Sequence, residues 1–515
     1  MATLADHYIL VAINHRNKMS SAAEKEKERK AAFKKSIDVQ KSRRSRMETQ
    51  VSIRKKKKEE RMNKKRRKPI DVGPAVSGEW TEDVSALSNT DEKIVILAIR
   101  KLRKRLSVER DPPIDLFISC GALKTVAAFL YNCHNPSIIF EAMWCITNVT
   151  SGSSKQAMAV VNMGIVPQIM KMSASPNVEL ADQCIWCLGN LAGDSINIRD
   201  LLLSIGGMEL ILERLSDKSP ISTVRIATWC IANLCRGKPR PSLSITRKAL
   251  IKLNAILTFE DGETVTDALW ALSYMTDGPN EQIQVVLNNV ALDRIVPYMA
   301  PSWRSSIQIP ALRVMGNVVS GNDLQTQHVI ECGAVPSIVA MLNSHKSSIR
   351  KETCWVLSNI AAGSAQQIQL LVDCQVFTPL RVMMNTESYT IVKEIAWIVS
   401  NACEGGNAAQ ISHIMQVGFI PPICSLLNRE DVEEVKMALG ILFKMLRTDA
   451  SMAVDKLEDC QGEDAISNLQ CHEDPDIYHC VVELIEEFFS AEEENDQLQG
   501  SSSPQQQWCL KDAME

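Results

Sequence analysis

Residues 186–194 read Trp186-Cys187-Leu188-Gly189-Asn190-Leu191-Ala192-Gly193-Asp194. The Trp and the Asn four residues after it decide the fold, because the pair returns at a fixed interval. Anchored on Trp, the series is Trp144, Trp186, Trp229, Trp270, Trp355 and Trp397, with steps of 42, 43 and 41, then 85, then 42. Arg313 stands inside the long step. Four residues after each anchor come Asn148, Asn190, Asn233, Tyr274, Asn317, Asn359 and Asn401. Glycine recurs in the same phase, in Gly121-Ala122, Gly164-Ile165-Val166-Pro167, Gly206-Gly207, Gly333-Ala334-Val335-Pro336 and Gly418-Phe419-Ile420-Pro421. Between these points the apolar residues keep helical spacing, and strand-like alternation is rare. An all-helical repeat of about 42 residues predicts an armadillo or HEAT-type solenoid. Leu102 and Leu439, one step outside the series, start no Trp/Asn pair, so the flanking repeats keep their helices and lose the anchor.

Positions i and i+4 share one face of a helix, so each Trp projects with its Asn. A buried amide in every repeat would need a partner in every repeat, which favours an exposed row of Asn on the concave wall. Neighbouring helices pack about 8–10 Å apart and an extended chain advances about 3.3 Å per residue, so one repeat matches two to three peptide residues. The carboxamide, with two N–H donors and one acceptor oxygen, can hold any extended backbone. The indole faces between them form slots for a Lys or Arg stem. Asp194, Asp267, Asp277, Glu352 and Glu394 lie in phase with the row and are expected to flank it with negative charge. The complete pairs fall into two clusters, residues 144–233 and 355–401, which predicts two basic-peptide sites. Arg313 is expected to repel cations in the middle.

The formal net charge of −4 hides a division. Residues 24–68 hold 21 Lys/Arg against 7 Asp/Glu, or +14, and the remainder carries −18. Residues 1–23 are expected to be a disordered extension, 24–68 a basic arm, 69–84 a linker, 85–490 the repeat array and 491–515 a disordered acidic and Ser/Gln-rich tail. The arm is disordered or helical by pattern. It ends in Lys64-Lys65-Arg66-Arg67-Lys68, the kind of segment the row would prefer. A flexible linker of about 16 residues spans roughly 20–25 Å, which lets the arm fold back and inhibit its own chain.

Several classes are excluded. The 16 Cys form no dense framework, which places the chain in the reducing cytosol or nucleus. No apolar run reaches the roughly 18–20 residues of a membrane span. The spacing of Cys460, Cys471, His472, His479 and Cys480 fits no paired zinc pattern. No phosphate loop, nucleophile elbow or metalloprotease motif is present, so neither an enzyme nor a cofactor is expected. An armadillo scaffold of the adhesion or signalling kind would present a basic groove to acidic partners, the opposite of this acidic body.

The same residues resemble a known family, the importin-alpha (karyopherin-alpha) nuclear import adaptors. The resemblance covers roughly residues 24–490. It rests on Lys65-Arg66-Arg67, on Pro112-Pro113-Ile114-Asp115, on the stretch 186–195, on Trp270-Ala271-Leu272-Ser273-Tyr274, and on Arg313-Val314-Met315-Gly316-Asn317. Lys393-Glu394-Ile395-Ala396-Trp397 and His472-Glu473-Asp474-Pro475-Asp476-Ile477-Tyr478 extend it. It implies a right-handed superhelix of about ten armadillo repeats that binds nuclear localisation signals. It further implies a major cargo site of Trp144, Asn148, Trp186, Asn190, Asp194, Trp229, Asn233, Asp267 and Trp270. The minor site it implies is Arg313, Asn317, Trp355, Asn359, Glu394, Trp397 and Asn401. Lys64, Lys65, Arg66 and Arg67 would belong to an importin-beta-binding domain that also occupies the major site in the free protein. Implied partners are cargo with mono- or bipartite basic signals, importin-beta, and an export receptor of the CAS type with Ran-GTP; neither nucleic acid nor membrane is implied. The chain would shuttle between cytoplasm and nucleus. Ala157, Ile226 and Ser364 depart from the Thr, Asn and Arg usual in the family at those places.

Overall fold

The computed structural model describes residues 80–108, 111–216 and 218–489. Residues 1–79 and 490–515, and with them the basic arm, the tail and Lys64, Lys65, Arg66 and Arg67, lie outside the described residues. Every regular element among the described residues is helical. The chain divides into two compact units, one ending at Cys230 and the other beginning at Ile231.

The repeating unit is two short helices followed by a long one. Ser154–Asn162, Val166–Ser173 and Val178–Asp194 form one such set, and Ala365–Asp373, Phe377–Thr386 and Tyr389–Gly405 another. The fold is an armadillo-repeat, all-helical solenoid. The helices that hold the Trp and Asn series, with their neighbours at either end, are labelled α1 to α11. In the first unit a short N-terminal helix, α1 (Trp80–Ala86), precedes the long helices α2 (Glu92–Leu106), α3 (Pro136–Thr150) and α4 (Val178–Asp194). Helix α5 (Ile221–Leu234) contains the boundary. The second unit holds α6 (Gly262–Thr276), α7 (Ser305–Val319), α8 (Ser347–Ala361), α9 (Tyr389–Gly405), α10 (Val432–Thr448) and α11 (Pro475–Phe488). Within the first unit α2 packs on α3 and α3 on α4; within the second, α6 through α11 pack in sequence order.

The glycine phase has a conformational cause. Gly206 and Gly333 sit between the two short helices at φ 85° and 73°, in the left-handed region, which a Cβ disfavours. The sequence pattern skips this place in two later repeats. There Gln375 and Gln461 take φ 53° and 58°, so the turn persists where its glycine does not.

A second device joins successive repeats. Gln325, Gln367 and Gln410 each close a capping box with Asn322, Ser364 and Asn407. Each also donates its amide Nε2 to the repeat before it, to Asn280 O at 2.8 Å, Asp323 O at 3.0 Å and Ala365 O at 2.8 Å. Ser364 is thus a helix cap, which gives this departure from the family pattern a structural role.

The N-terminal edge begins earlier than the charge pattern suggests. Residues 80–84, part of the expected linker, belong to α1. Trp80 meets Phe117 edge-on at 6.5 Å, and buried Asp83 accepts Lys101 at 3.2 Å and Arg105 at 2.7 Å. An apolar ring and a shielded carboxylate dock this segment, and neither is visible to a composition count.

Replacing Gln367 by Ala should lower the unfolding free energy by roughly 1–3 kcal/mol, because it takes the acceptor from the Ser364 N–H and removes the bond to Asp323 O. Urea denaturation measures this; an unchanged midpoint would show that the amide does not join the repeats.

Candidate functional site

The Trp/Asn pairs fall on the long helices. The first unit holds Trp144 and Asn148 on α3, Trp186 and Asn190 on α4, and Trp229 on α5. Asn233, Asp267 and Trp270 belong to the second unit, with Arg313 and Asn317 on α7, Trp355 and Asn359 on α8, and Trp397 and Asn401 on α9. The indoles of Trp144, Trp229, Trp270, Trp355 and Trp397 are half-buried. Trp186 is the exception, at 6% exposure. Leu102 and Leu439 are fully buried core residues.

The Asn side chains are not an exposed row. Their exposure runs from 0% at Asn148 to 7% at Asn359. The expectation failed because the amides of Asn148, Asn190, Asn317 and Asn401 find partners in the repeat before their own. Asn190 Nδ2 donates to Thr147 O at 3.3 Å and Thr150 Oγ1 at 3.2 Å. Asn317 Nδ2 donates to Ser273 O at 2.8 Å, and Asn401 Nδ2 to Ser358 O at 2.9 Å. Thr147, Ser273 and Ser358 each lie in the last turn of the preceding long helix, and each carbonyl also takes a donor of its own segment: the Thr150 hydroxyl, the Thr276 hydroxyl and the Ala362 N–H respectively. Asn148 Nδ2 reaches Ser107 Oγ at 3.0 Å, whereas Asn359 Nδ2 bonds back to Trp355 O at 3.0 Å. The donors are thereby satisfied. The acceptor oxygens of Asn148 and Asn190 are buried and lack a hydrogen bond.

Two of the indoles lie on a glycine of the repeat before them. A Cβ added at Gly189 would meet Trp229 Cζ3 at 2.3 Å, and one at Gly316 would meet Trp355 Cζ3 at 2.3 Å. Both glycines immediately precede a ladder Asn, so one junction sets both the amide and the next ring. Tyr274, in the Asn place, instead stacks on Trp270 with centroids 6.1 Å apart. The row ends after Trp397. One step on, an added Cβ at exposed Gly440 would meet nothing within 4 Å, and Lys444 pairs with Glu404 at 3.2 Å.

Two arginines already occupy indole faces of the row, and a third, Arg105, lies 5.2 Å from the Trp80 ring outside it. Arg313 holds its guanidinium 5.3 Å from the Trp270 ring and pairs with Glu352 at 2.9 Å. Arg313 therefore does not stand as a bare repelling charge. It fills the slot, and Glu352 balances it. The second arginine escaped the sequence reading. Arg103 on α2 lies 4.4 Å from the Trp144 ring and is ion-paired to Glu141, whose carboxylate also takes Arg100 at 3.0 Å. Counting one step of 42 back from Trp144 lands on buried Leu102, whereas the shorter step of 41 lands on Arg103.

The acidic residues expected beside the row are largely engaged within the chain. Asp277 faces Arg240 at 3.5 Å and Lys238 at 3.9 Å, and Asp194 accepts the Ser154 hydroxyl at 3.0 Å. Asp267 and Glu394 are buried. Ala157 and Ile226, two of the departures, are also buried. Cys145 and Cys354, beside Trp144 and Trp355, are core residues whose thiols burial pushes well up, with Glu141 and Glu394 respectively adding to the shift.

Comparison with known proteins adds to this geometry. The sequence profile of the importin beta binding domain matches residues 29–102. That of the armadillo/beta-catenin-like repeat matches 153–193, 322–362 and 364–404, and an atypical Arm repeat matches 453–502. Importin subunit alpha-1b of Oryza sativa subsp. japonica is 39% identical over 432 residues, covering 82% of this chain and 80% of its own. Importin subunit alpha-3 of Arabidopsis thaliana is 34% identical over 503 residues, covering 93% and 94%. The crystal structure of an engineered protein superposes with a TM-score of 0.72 at 23% identity, over 80% of this chain and 99% of that one, a likeness of fold.

Gly316→Ala should cost roughly 1–3 kcal/mol by pressing on Trp355. Gly440→Ala, in open space on a helix, should stabilise by up to about 1 kcal/mol. Chemical denaturation of both variants gives the two signs; equal signs would contradict the indole-on-glycine packing.

Proposed function

The chain belongs to the importin-alpha family of nuclear import adaptors, and from that premise we propose that its indole rows hold the Lys/Arg side chains of nuclear localisation signals. The observation that carries this reading is internal to the molecule. Arg313 on Trp270 with Glu352, and Arg103 on Trp144 with Glu141, are two cations held as a cargo cation would be, by a ring face and a carboxylate. Such a contact contributes about 0.5–2 kcal/mol, so several in series are needed for useful affinity.

In the first unit the gripping residues are Trp144, Asn148, Trp186, Asn190 and Trp229, with Asp194 beside them. The Asn148 and Asn190 oxygens are buried and without a hydrogen bond; once the side chains turn toward a bound peptide they would accept its backbone N–H groups, which would relieve a cost of roughly 1–3 kcal/mol each. In the second unit Asn233, Asp267 and Trp270 continue the series, and Trp355, Asn359, Trp397, Asn401 and Glu394 form a further row after Arg313. Binding is through the peptide backbone and long cationic stems, so many cargoes with one or two basic clusters fit.

Importin-beta is the partner supported by the domain match at residues 29–102. The arm's Lys64, Lys65, Arg66 and Arg67 have the chemistry of a cargo signal. In the free protein the arm competes for the row, and importin-beta withdraws it as cargo binds. Return through a CAS-type export receptor with Ran-GTP, and hence a shuttling location in cytoplasm and nucleus, completes the cycle. The role is that of an adaptor, with binding in place of catalysis.

The double variant Trp186→Ala with Asn190→Ala should weaken a Lys/Arg-rich peptide at least tenfold in isothermal titration, while an acidic peptide stays unbound; equal affinity for variant and parent would end the assignment. Removing residues 1–68 should tighten the same peptide and abolish capture by importin-beta. If the peptide affinity does not change, the arm does not inhibit.

A further inference from the structure

Arg103 stands at the place before Trp144 where the next slot of the row would open. Its guanidinium covers the ring at 4.4 Å, and its Nε is held by Glu141. Glu141 is itself 6% exposed and takes Arg100 from the other side. The other edge of Trp144 meets Phe140, T-shaped at 5.6 Å. The elements needed to hold a cation are therefore all present at this step: an aromatic face, a shielded carboxylate, and Ser107 bonded to Asn148 where the row would continue. They are already used by the chain's own arginine.

We propose that Arg103 is a specificity-determining residue that closes the row at Trp144 and so fixes the register of a bound basic peptide. This rests on the reading of the indole row as the cargo site, and extends it by saying where the row stops and why. A cargo cation arriving at this step would have to displace a guanidinium that already has both ring and carboxylate, and a like charge would face it. The peptide therefore places its cationic side chains from the Trp144–Trp186 interval onward, and basic residues beyond that end gain little. The geometry at Arg313 repeats the arrangement on Trp270 with Glu352. The same stop is thus built twice from one chemistry.

The test uses the full-length chain and three peptides: a core of five Lys/Arg residues flanked by neutral residues, and the same core carrying two further lysines, spaced by glycine, at its amino or its carboxyl end. In the parent protein neither extension should tighten binding more than about twofold. In Arg103→Ala one of the two extensions should gain about three- to tenfold over the core, the size of one added cation–indole contact, while the core stays within twofold of the parent. Arg103→Lys, which keeps a cation at the place, should restore the parent ratio. An extension that gains more than fivefold in the parent overturns the proposal without any variant, should Arg103→Ala fail to fold. So does an unchanged ratio in a folded Arg103→Ala, or Arg103→Lys behaving as Arg103→Ala. Loss of the row itself is read separately: if Trp186→Ala with Asn190→Ala leaves core binding intact, the site reading fails, not the stop at Arg103.

Discussion

The constraint on which the molecule depends is the bond from a ladder Asn to a carbonyl in the last turn of the preceding long helix. Asn190 to Thr147, Asn317 to Ser273 and Asn401 to Ser358 are the same contact repeated. A carbonyl has two lone pairs, and in the last helical turn one is left for a donor from outside; a buried carboxamide N–H, which must find an acceptor, supplies it. Because the bond joins consecutive repeats, it fixes how far one helix slides along the next. The small residue before the Asn, Gly189 or Gly316, then admits the following indole against the backbone. Within each unit the spacing of the indoles is thereby a consequence of the packing.

Charge is disposed on that frame in a consistent way. The body is acidic and the segment of residues 24–68 strongly basic, yet many carboxylates near the row already hold internal partners. Glu141, Glu352 and Asp277 take Arg103, Arg313 and the Lys238/Arg240 pair. On the proposed reading, selectivity for cations comes less from bare negative charge than from half-buried ring faces, with carboxylates shaping which of them stay open. A stack of indoles with every face open would take a cationic chain in several registers; arginines at chosen steps limit the choice.

Much of this was legible in the sequence, and the rest was hidden for identifiable reasons. The period of about 42 residues, the helices and the two clusters follow from Trp and Gly positions, since helix geometry makes equal spacing into equal placement. The burial of the Asn row did not follow. An i, i+4 pair shows that two side chains share a face, but not that a carbonyl from a helix some 43 residues earlier waits beside one of them. The small residue before Asn190 and Asn317 was the available signal, because only a close-packed junction needs glycine inside a helix. Arg103 was hidden by a step of 41 in a series averaging 42. Docking of Trp80 and Asp83 was hidden because five residues in a Gly/Pro-flanked stretch carry no periodicity.

The central claim is that stretched cationic chains lie along the indole row. A crystal structure of the full-length protein with a Lys/Arg-rich peptide tests it most directly. The account predicts lysine methylenes within about 4 Å of the Trp186 and Trp229 rings, and peptide N–H groups bonded to the Asn148 and Asn190 oxygens. A peptide seated on the short helices, with those rings and oxygens untouched, would contradict it.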